Sequence, residues 1–176
     1  MCIRDRVIKE HTAAVTGKGD MFLHVQAKRA GKIKGEARQP GHEDDIIVRG
    51  WRWGVKVSSA LAHTQAGSRR SYSELTIFKG IDLATTGLMS VLVANDEIKE
   101  ARLSMRKAGG AQEEYFVILL QGARISAVDH EVGEDGVAHE TVEIAFNQVT
   151  VEYRPQKATG IRGGGTMFTD ELTQQE

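Results

Sequence analysis

Regular alternation of apolar and polar residues over long segments is the feature that most restricts the fold of this 176-residue chain. In KEARLSMRK, residues 99–107, apolar side chains fall at every second position, which is typical of a strand with one buried face. Arg102, Ser104 and Arg106 are predicted to lie on its outer face. DIIVRGWRWGVKV (45–57) and HETVEIAFNQVTVEYRP (139–155) also alternate, but their apolar positions change parity near Gly50 and at Asn147-Gln148. Because a one-residue slip moves the apolar side chains to the other face, the change near Gly50 predicts a bulge or a corner, and the change at Asn147-Gln148 predicts a bulge. Strands with such corners can curve enough to close a sheet.

One segment, DLATTGLMSVLVANDEI (82–98), has helical periodicity instead. Its apolar residues at helical spacing are Leu88, Met89, Leu92 and Val93. Thr85 or Thr86 can cap the start of this helix, and Asn95 can end it. The predicted fold class is therefore mainly β: a small closed or nearly closed β-barrel of two curved sheets with one flanking α-helix.

Both tryptophans of the chain lie in GWRWGVKV (50–57), with one residue between them. On a single strand, Trp51 and Trp53 share the apolar face, whereas Arg52 and Lys56 lie on the opposite face. We interpret the tryptophans as part of the core, and an exposed platform for a stacked ligand is the alternative. The predicted core residues are Trp51, Trp53, Leu103, Met105 and Phe146.

The composition is that of a globular protein, with 40% hydrophobic and 27% charged residues and a formal net charge of −1. This balance argues against a surface for nucleic acid or anionic membranes, so neither nucleic-acid binding nor membrane insertion is expected. No apolar run is long enough to cross a bilayer, and the start MCIRDRVIKEH has no apolar region of a secretion signal. The only cysteine is Cys2, which excludes an intramolecular disulfide.

The chain is predicted to contain one domain between two short terminal segments. MCIRDR resembles translated sequencing-adapter read-through, so residues 1–20 are interpreted as an artefactual or disordered N-terminus. Residues 21–172 are predicted to form the β-barrel domain, because no internal repeat or linker interrupts the strand pattern. Residues 173–176 are interpreted as a tail.

The sequence offers no candidate catalytic, cofactor-binding or metal-binding residue. The six histidines form no HExxH or similar spacing, and no serine lies in a G-x-S-x-G context. GHEDD (41–45) presents three consecutive acidic residues, but such a loop is more often solvated surface than a cation site. His42 is accordingly interpreted as a loop residue. The prediction is a protein without enzymatic activity, cofactor or metal.

Several blocks of the sequence resemble the Hcp family, the haemolysin-coregulated proteins of bacterial type VI secretion systems. In order, they are IKGEARQPGHEDDIIV, WRWGV, LSMRKAGGAQEEYFVILLQGARISAV, ETVEIAFNQVTVEYRPQ and GIRGGG. Together they extend the resemblance over about residues 21–172. No block is specific alone, and their order carries the resemblance.

The resemblance implies a β-barrel with one flanking helix, six copies of which assemble into a ring with a wide lumen. Rings stack into a tube that a contractile sheath expels behind a spike protein, and small effectors travel in the lumen. The implied partners are a homo-hexamer, further rings, the sheath, the spike protein and small effector proteins. The implied location is the bacterial cytoplasm before firing and the extracellular space or a target cell afterwards, reached without a signal peptide.

The resemblance also implies roles for particular residues. Arg52 and Lys56 would face the lumen, and pairing of Arg52 with an acidic neighbour on the same sheet is an equal alternative. The segment 58–71 would form a loop that reaches a neighbouring ring. Its predicted ring-stacking residues are Ser58, Ala60, Leu61, His63, Gln65, Arg69 and Arg70.

The alternative function is a small β-barrel ligand-binding module that uses the Trp51/Trp53 pair.

Overall fold

The computed structural model describes residues 19–57, 70–107, 113–155 and 164–172. The strands in these ranges are β1 (Gly19–Ala27), β2 (Gly31–Lys32), β3 (Ile46–Ile47), β4 (Gly50–Arg52), β5 (Val55–Val57), β6 (Arg70–Tyr72), β7 (Leu75–Lys79), β8 (Ile98–Lys107), β9 (Glu114–Val132), β10 (Ala138–Ala145), β11 (Gln148–Tyr153) and β12 (Thr166–Glu171). Helix α1 (Thr85–Val93) lies between β7 and β8. Residues 1–18 and 173–176 lie outside these ranges, so the interpretation of the two termini stays a prediction.

Strand β9 belongs to two sheets and thereby connects them. Its first part pairs with β8 and β11, and its second part pairs with β10. The resulting strand order is β2-β1-β8-β9-β10-β7-β4, with β3 beside β1 and β12 beside β11. Among the described strands no pairing joins the two ends of this order, so the barrel is nearly closed. The predicted mainly β fold of two sheets with one flanking helix is confirmed.

A corner at Gly122 takes β9 from one sheet into the other. Gly122 has a φ of +55°, a backbone conformation that residues with a Cβ adopt only at a cost. A Cβ at this position would also lie 3.2 Å from Nδ2 of Asn147. Asn147 lies between the end of β10 and the start of β11, which pair with different parts of β9. The parity change at Asn147-Gln148 is therefore a corner between two strands, and its interpretation as a bulge within one strand was wrong.

The segment 45–57 is three short strands, where the sequence predicted one long strand. Strand β3 pairs with β1, β4 pairs with β7, and β5 pairs with β6 in a separate two-stranded hairpin. Because each short strand has a different neighbour, the alternation that runs through the segment does not keep one face buried. Val55 and Val57 are 49% and 50% exposed and do not continue the face of the tryptophans.

The core fills the space between the two sheets and is closed on one side by α1. Leu23, Ile77, Leu103 and Ile118 are fully buried there, together with residues of β10 and β11. This burial follows from the period-two pattern of the strands, since alternate side chains of each strand face the same interior.

The helix contacts the core through Leu88 and Leu92 of the predicted set and through Val91, which was not in that set. Leu88 and Val91 are buried, whereas Met89 is 44% and Val93 is 83% exposed. Thr85 is the first helical residue and does not cap the helix, because the N-cap position is Ala84. Asn95 ends the helix as predicted, with a φ of 49°. No helix in the described ranges has the length and apolar character needed to span a membrane.

The second face of β8 is also covered, which the sequence did not predict. Arg102, Ser104 and Arg106 were expected to face solvent, but Ser104 and Arg106 are only 1% and 3% exposed. The side chain of Arg106 lies over the ring of Phe22, and one of its Nη atoms lies 3.4 Å from the carbonyl oxygen of Pro40. The segment between β2 and β3 therefore shields this face from water.

Candidate functional site

The two residues predicted to face a lumen are both exposed, but they belong to different strands. Arg52 ends β4 opposite Thr76 of β7, and Lys56 lies in β5 opposite Ser71 of β6. Within the described ranges, no acidic side chain lies at ion-pair distance from Arg52. In its sheet row the nearest acidic residue is Glu143, two strands away beyond Thr76. The described contacts therefore leave Arg52 available to a partner.

The ring-stacking loop is represented in the structure only by its base. Arg70 is the one predicted loop residue within the described ranges, and it lies in β6. The other predicted residues, which are Ser58, Ala60, Leu61, His63, Gln65 and Arg69, lie outside the described ranges. Arg70 pairs with Val57 across the hairpin, so this pair marks the point from which the segment 58–69 leaves the β5–β6 stem.

The two tryptophans pack against the core in different aromatic contacts. Trp51 stacks on Phe116 with ring centroids 5.8 Å apart, and Trp53 stacks on Tyr72 at the same distance. Trp53 also contacts the ring of Phe146. Of the five predicted core residues, Leu103 and Phe146 are buried, whereas Met105, Trp51 and Trp53 are partly buried. These contacts support the interpretation of both tryptophans as part of the core.

Asp170 on β12 holds the stem of the β5–β6 hairpin through two side chains. Its carboxylate accepts hydrogen bonds from Nε and Nη2 of Arg70, the latter at 2.9 Å, and from the hydroxyl of Tyr72 at 2.6 Å. Nη2 of Arg70 also donates to the carbonyl oxygen of Glu171 at 3.1 Å. We call this set of contacts the Asp170 clamp. The residues are about 100 positions apart, so the sequence contained no local signal for it.

The contacts of the Asp170 clamp shift the pKa values of its members in opposite directions. The hydrogen bonds from Tyr72 and Arg70 lower the pKa of Asp170, because they stabilise its charged form. Burial and the hydrogen bond to Asp170 raise the pKa of Tyr72. Both shifts favour a negative carboxylate and a neutral phenol at neutral pH, which is the arrangement that these hydrogen bonds require.

A second polar cluster is buried beneath the segment between β2 and β3. Asp45 is at its centre: Nδ1 of His24, Nδ1 of His42 and Nζ of Lys32 each lie 3.0 Å from one of its carboxylate oxygens. The ring of His42 also stacks on Phe22 at 4.3 Å. We call these residues the Asp45 cluster. His42 and Asp45 are 4% and 5% exposed, so the interpretation of the three carboxylates as solvated surface was wrong for Asp45. His42 lies in a loop as predicted, although it is buried there.

The Asp45 cluster continues through His42 to an ion pair on β8 and β9. Nε2 of His42 lies 3.1 Å from Glu114, whose carboxylate also pairs with the guanidinium of Arg102. Burial raises the pKa of Asp45, but the hydrogen bonds from His24, His42 and Lys32 outweigh it and hold that pKa well below its usual range. Burial also raises the pKa of Glu114, but the hydrogen bond from Arg102 outweighs this effect, and the pKa of Glu114 is lowered. The cluster thus fixes the covering segment to β1, β8 and β9 by charge pairing.

A third cluster attaches the start of α1 to the barrel. Nζ of Lys79 lies 2.8 Å from Asp82 and 3.1 Å from Glu140, and both Lys79 and Glu140 have fully buried side chains. The hydroxyl of Thr85 donates to the other carboxylate oxygen of Glu140 at 2.6 Å. Nε2 of His130 lies 3.4 Å from the same oxygen. The cluster links β7, β10 and the helix through one buried ion pair.

These clusters connect structural elements, and none has the ligand arrangement of a metal centre. In the part of the chain that the structure describes, no group of three or more His, Cys, Asp or Glu residues is placed to hold a metal ion. The features still exposed to a partner are the hairpin stem, Arg52 and Lys56, and the apolar side chains on the outer surface of the barrel.

A comparison with protein-family models decides which proteins this chain is related to. Residues 22–153 match the model described as "Type VI secretion system effector, Hcp". The chain belongs to the Hcp family. The matched range runs from β1 to the end of β11 and includes the hairpin stem, the helix and the corner of β9. The resemblance identified in the sequence is confirmed.

Two curated relatives of this Hcp chain come from Pseudomonas aeruginosa. The protein named "Protein hcp1" is 35% identical over 151 residues, which are 83% of this chain and 90% of the relative. The "Major exported protein" of the same organism is 24% identical over 135 residues, which are 72% of this chain and 78% of the relative. The chain thus spans most of the length of both relatives and is a protein of the type VI secretion system.

Solved structures agree with the fold of this Hcp protein. Hcp1 from Salmonella typhimurium superimposes with a TM-score of 0.72 at 28% sequence identity, over 89% of this chain and 96% of that chain. A structure titled "Structure of a type six secretion system protein" superimposes with a TM-score of 0.74 at 23% identity, over 87% and 95%. The latter similarity supports the fold alone.

Proposed function

We propose that this Hcp protein is the inner-tube subunit of a type VI secretion system, with six copies in a ring and rings stacked into a tube. The observation that carries the proposal, beyond family membership, is an apolar outer face on a helix that an isolated subunit would leave in water. The protein would work through surfaces shared between copies, and not through a pocket within one copy.

The outer face of α1 lacks the charged residues that usually cover a solvated helix. Thr86, Met89, Ser90 and Val93 are exposed and follow one another at helical spacing, and we call them the helix stripe. Ile81 and Leu83, just before the helix, are 55% and 63% exposed. An apolar surface of this kind is typical of a region that another protein covers. A second copy of this chain is the proposed cover.

A second exposed apolar surface lies on the strands at the other end of the chain. Tyr153, Met167 and Phe168 are 47%, 68% and 48% exposed on β11 and β12. Among the described strands β12 pairs only with β11, so its outer edge has free backbone hydrogen-bonding groups. Two different surfaces on one subunit fit a head-to-tail contact, which closes into a ring when the rotation between copies divides the circle.

The ring would carry small effector proteins in its lumen and protect them during export. Arg52 and Lys56 are the proposed lumen-facing residues, and the segment 58–71 is the proposed contact to the next ring. The sheath, the spike protein and the effectors are the proposed partners. The protein would accumulate in the bacterial cytoplasm and then leave the cell with the expelled tube.

Light scattering coupled to size-exclusion chromatography, together with negative-stain electron microscopy, tests the proposal. We expect a hexamer and annular particles with a central opening. A monomer that persists at high protein concentration would contradict the proposed function.

A pair of substitutions tests whether the helix stripe lies between subunits. Val93→Lys places a charge on a side chain that is 83% exposed in the single subunit, so the subunit should fold while the hexamer is lost. Ile47→Lys is the matched control, since Ile47 is 46% exposed on β3 and lies outside the helix stripe. A hexamer that withstands Val93→Lys as well as Ile47→Lys would exclude the helix stripe as the interface.

A further inference from the structure

The β5–β6 hairpin has few contacts that fix its direction relative to the barrel. Its two strands pair only with each other among the described strands, and all three residues of β5 are exposed. The base is closed by the backbone N–H of Ser73, which donates to the carbonyl oxygen of Gly54 at 3.0 Å. An isolated two-stranded hairpin is marginally stable at best in water. Contacts to other elements must therefore set the orientation of this one.

Two side chains of β6 supply those contacts. Tyr72 packs its ring between Trp53 and Phe146, with centroid distances of 5.8 Å to each. Its hydroxyl and the guanidinium of Arg70 both donate to Asp170 on β12. The aromatic contacts fix the stem near the barrel, whereas the Asp170 clamp reaches the last pair of the stem, Arg70 and Val57.

The geometry of the clamp restricts rotation of the stem more than a single contact would. An arginine that donates from two nitrogens to one carboxylate is held in a defined plane, and charge-assisted bonds of this type are stronger than neutral ones. Tyr72, two positions after Arg70 on the same strand, donates its hydroxyl to the same carboxylate. Two contacts at different positions along one strand fix the direction of the strand as well as its position.

We propose that Asp170 is a positioning residue, which holds the β5–β6 stem at the angle from which residues 58–69 contact the next ring of the tube. This inference rests on the proposed function and adds to it that the C-terminal strand β12 determines the stacking contact. Loss of the clamp should leave ring formation intact and weaken only the contact between rings.

Asp170→Asn tests this role in the full chain, because it removes the charge and keeps the shape. Glu171→Gln is the matched control, since it removes the same charge at the next position of β12, where the side chain has no described partner. Hydrogen exchange measured by mass spectrometry should become about tenfold faster at the amides of β5 and β6 in Asp170→Asn, and nowhere else. Glu171→Gln should exchange like the wild type.

Electron microscopy of concentrated protein gives the second measurement. We expect rings of wild-type diameter in both variants, and stacks of rings that are shorter only in Asp170→Asn. As a third arm, the difference in hairpin exchange between wild type and Asp170→Asn, measured at the same pH, should disappear when acid protonates Asp170, because the two side chains then carry the same charge. A role of Asp170 limited to packing would keep that difference. Stacks of wild-type length in Asp170→Asn, or unchanged exchange in the hairpin, would overturn the inference.

Failure of the inference is distinguishable from failure of the proposed function. If the wild-type protein forms no ring, the proposed function is wrong, and the exchange measurement still decides whether Asp170 holds the hairpin. If the wild-type protein forms stacked rings and Asp170→Asn stacks equally well, the tube function stands and the positioning role of Asp170 is rejected.

Discussion

Lys79 and Arg70 each form an ion pair with a carboxylate, but the energetic consequences of the two pairs differ because of burial. Lys79 and Glu140 have fully buried side chains, so each charge depends on the other to compensate its lost hydration. Arg70 is half exposed beside Asp170, and water can replace much of that pair. At the residue scale, the first pair matters for folding and the second for the orientation of a surface element.

Lys79→Met should destabilise the protein by about 3–5 kcal/mol, because it removes the buried lysine that compensates the charge of the Glu140 carboxylate. Urea denaturation with a far-ultraviolet circular dichroism readout measures the loss. Lys99→Met is the matched control, since Lys99 is exposed on β8, and it should change the stability by about 0.5 kcal/mol or less. The double variant Lys79→Met with Glu140→Leu should regain most of the loss. A single Lys79→Met variant as stable as Lys99→Met would show that the pair carries no such dependence.

At the scale of elements, the corner of β9 determines how the two sheets meet. The strand is 19 residues long and could pass from one sheet to the other only with a sharp local change of direction. Gly122 provides that change through its positive φ, and the side chain of Asn147 packs directly against it. The corner between β10 and β11 lies at the same place, so these two corners of the barrel wall meet at one contact.

Gly122→Ala should destabilise the protein by about 2 kcal/mol or more, because it adds a Cβ to a left-handed backbone and pushes it against Asn147. Gly136→Ala separates the two causes, since Gly136 has a φ of +70° but open space around it. Gly136→Ala should lower the free energy of unfolding by about 1 kcal/mol. Thermal denaturation measures the loss of stability in both variants. Equal losses would mean that the contact with Asn147 does not contribute to the effect of Gly122→Ala.

At the scale of the whole molecule, carboxylates with lowered pKa values join segments that are distant in sequence. Asp45 joins the segment before β3 to β1, Glu114 joins β9 to β8, and Asp170 joins β12 to the hairpin. The backbone N–H groups of Arg29 and Ala30 donate to Asp96, and these bonds outweigh burial and lower its pKa. The stability of the assembled barrel should therefore depend on acidity.

The melting temperature should fall as the pH drops below about 5. In that range the carboxyl groups of the unfolded chain bind protons, whereas the same groups in the folded protein, with their lowered pKa values, remain ionised. A carboxyl group whose folded pKa is lowered contributes stability above its unfolded pKa and loses it as the pH falls towards the folded pKa. Differential scanning calorimetry between pH 7 and pH 3 measures the slope. Asp45→Asn should be less stable at pH 7 and show a shallower slope, and a wild-type melting temperature independent of pH below 5 would contradict the account.

Much of the fold was predictable because the decisive signals were local. The alternation in β8 and β10, the turn at Asn95 and the helical spacing in 82–98 each depend on neighbours within a few positions. The family resemblance was likewise visible in blocks of consecutive residues. The division of 45–57 into three strands was not predictable, because each short strand is defined by the partner with which it pairs.

The sequence by itself determined that segments with long alternation such as β8 and β10 form strands, where the helix ends, and that the chain resembles the Hcp family. Only the tertiary structure decided which polar residues are buried, since Asp45, Glu140 and Asp170 meet partners from distant parts of the chain. The physical reason is that periodicity reports which face of an element avoids water, whereas it contains no information about what covers the opposite face. The same limit applies to the exposed helix stripe, whose proposed cover is a second copy of the chain.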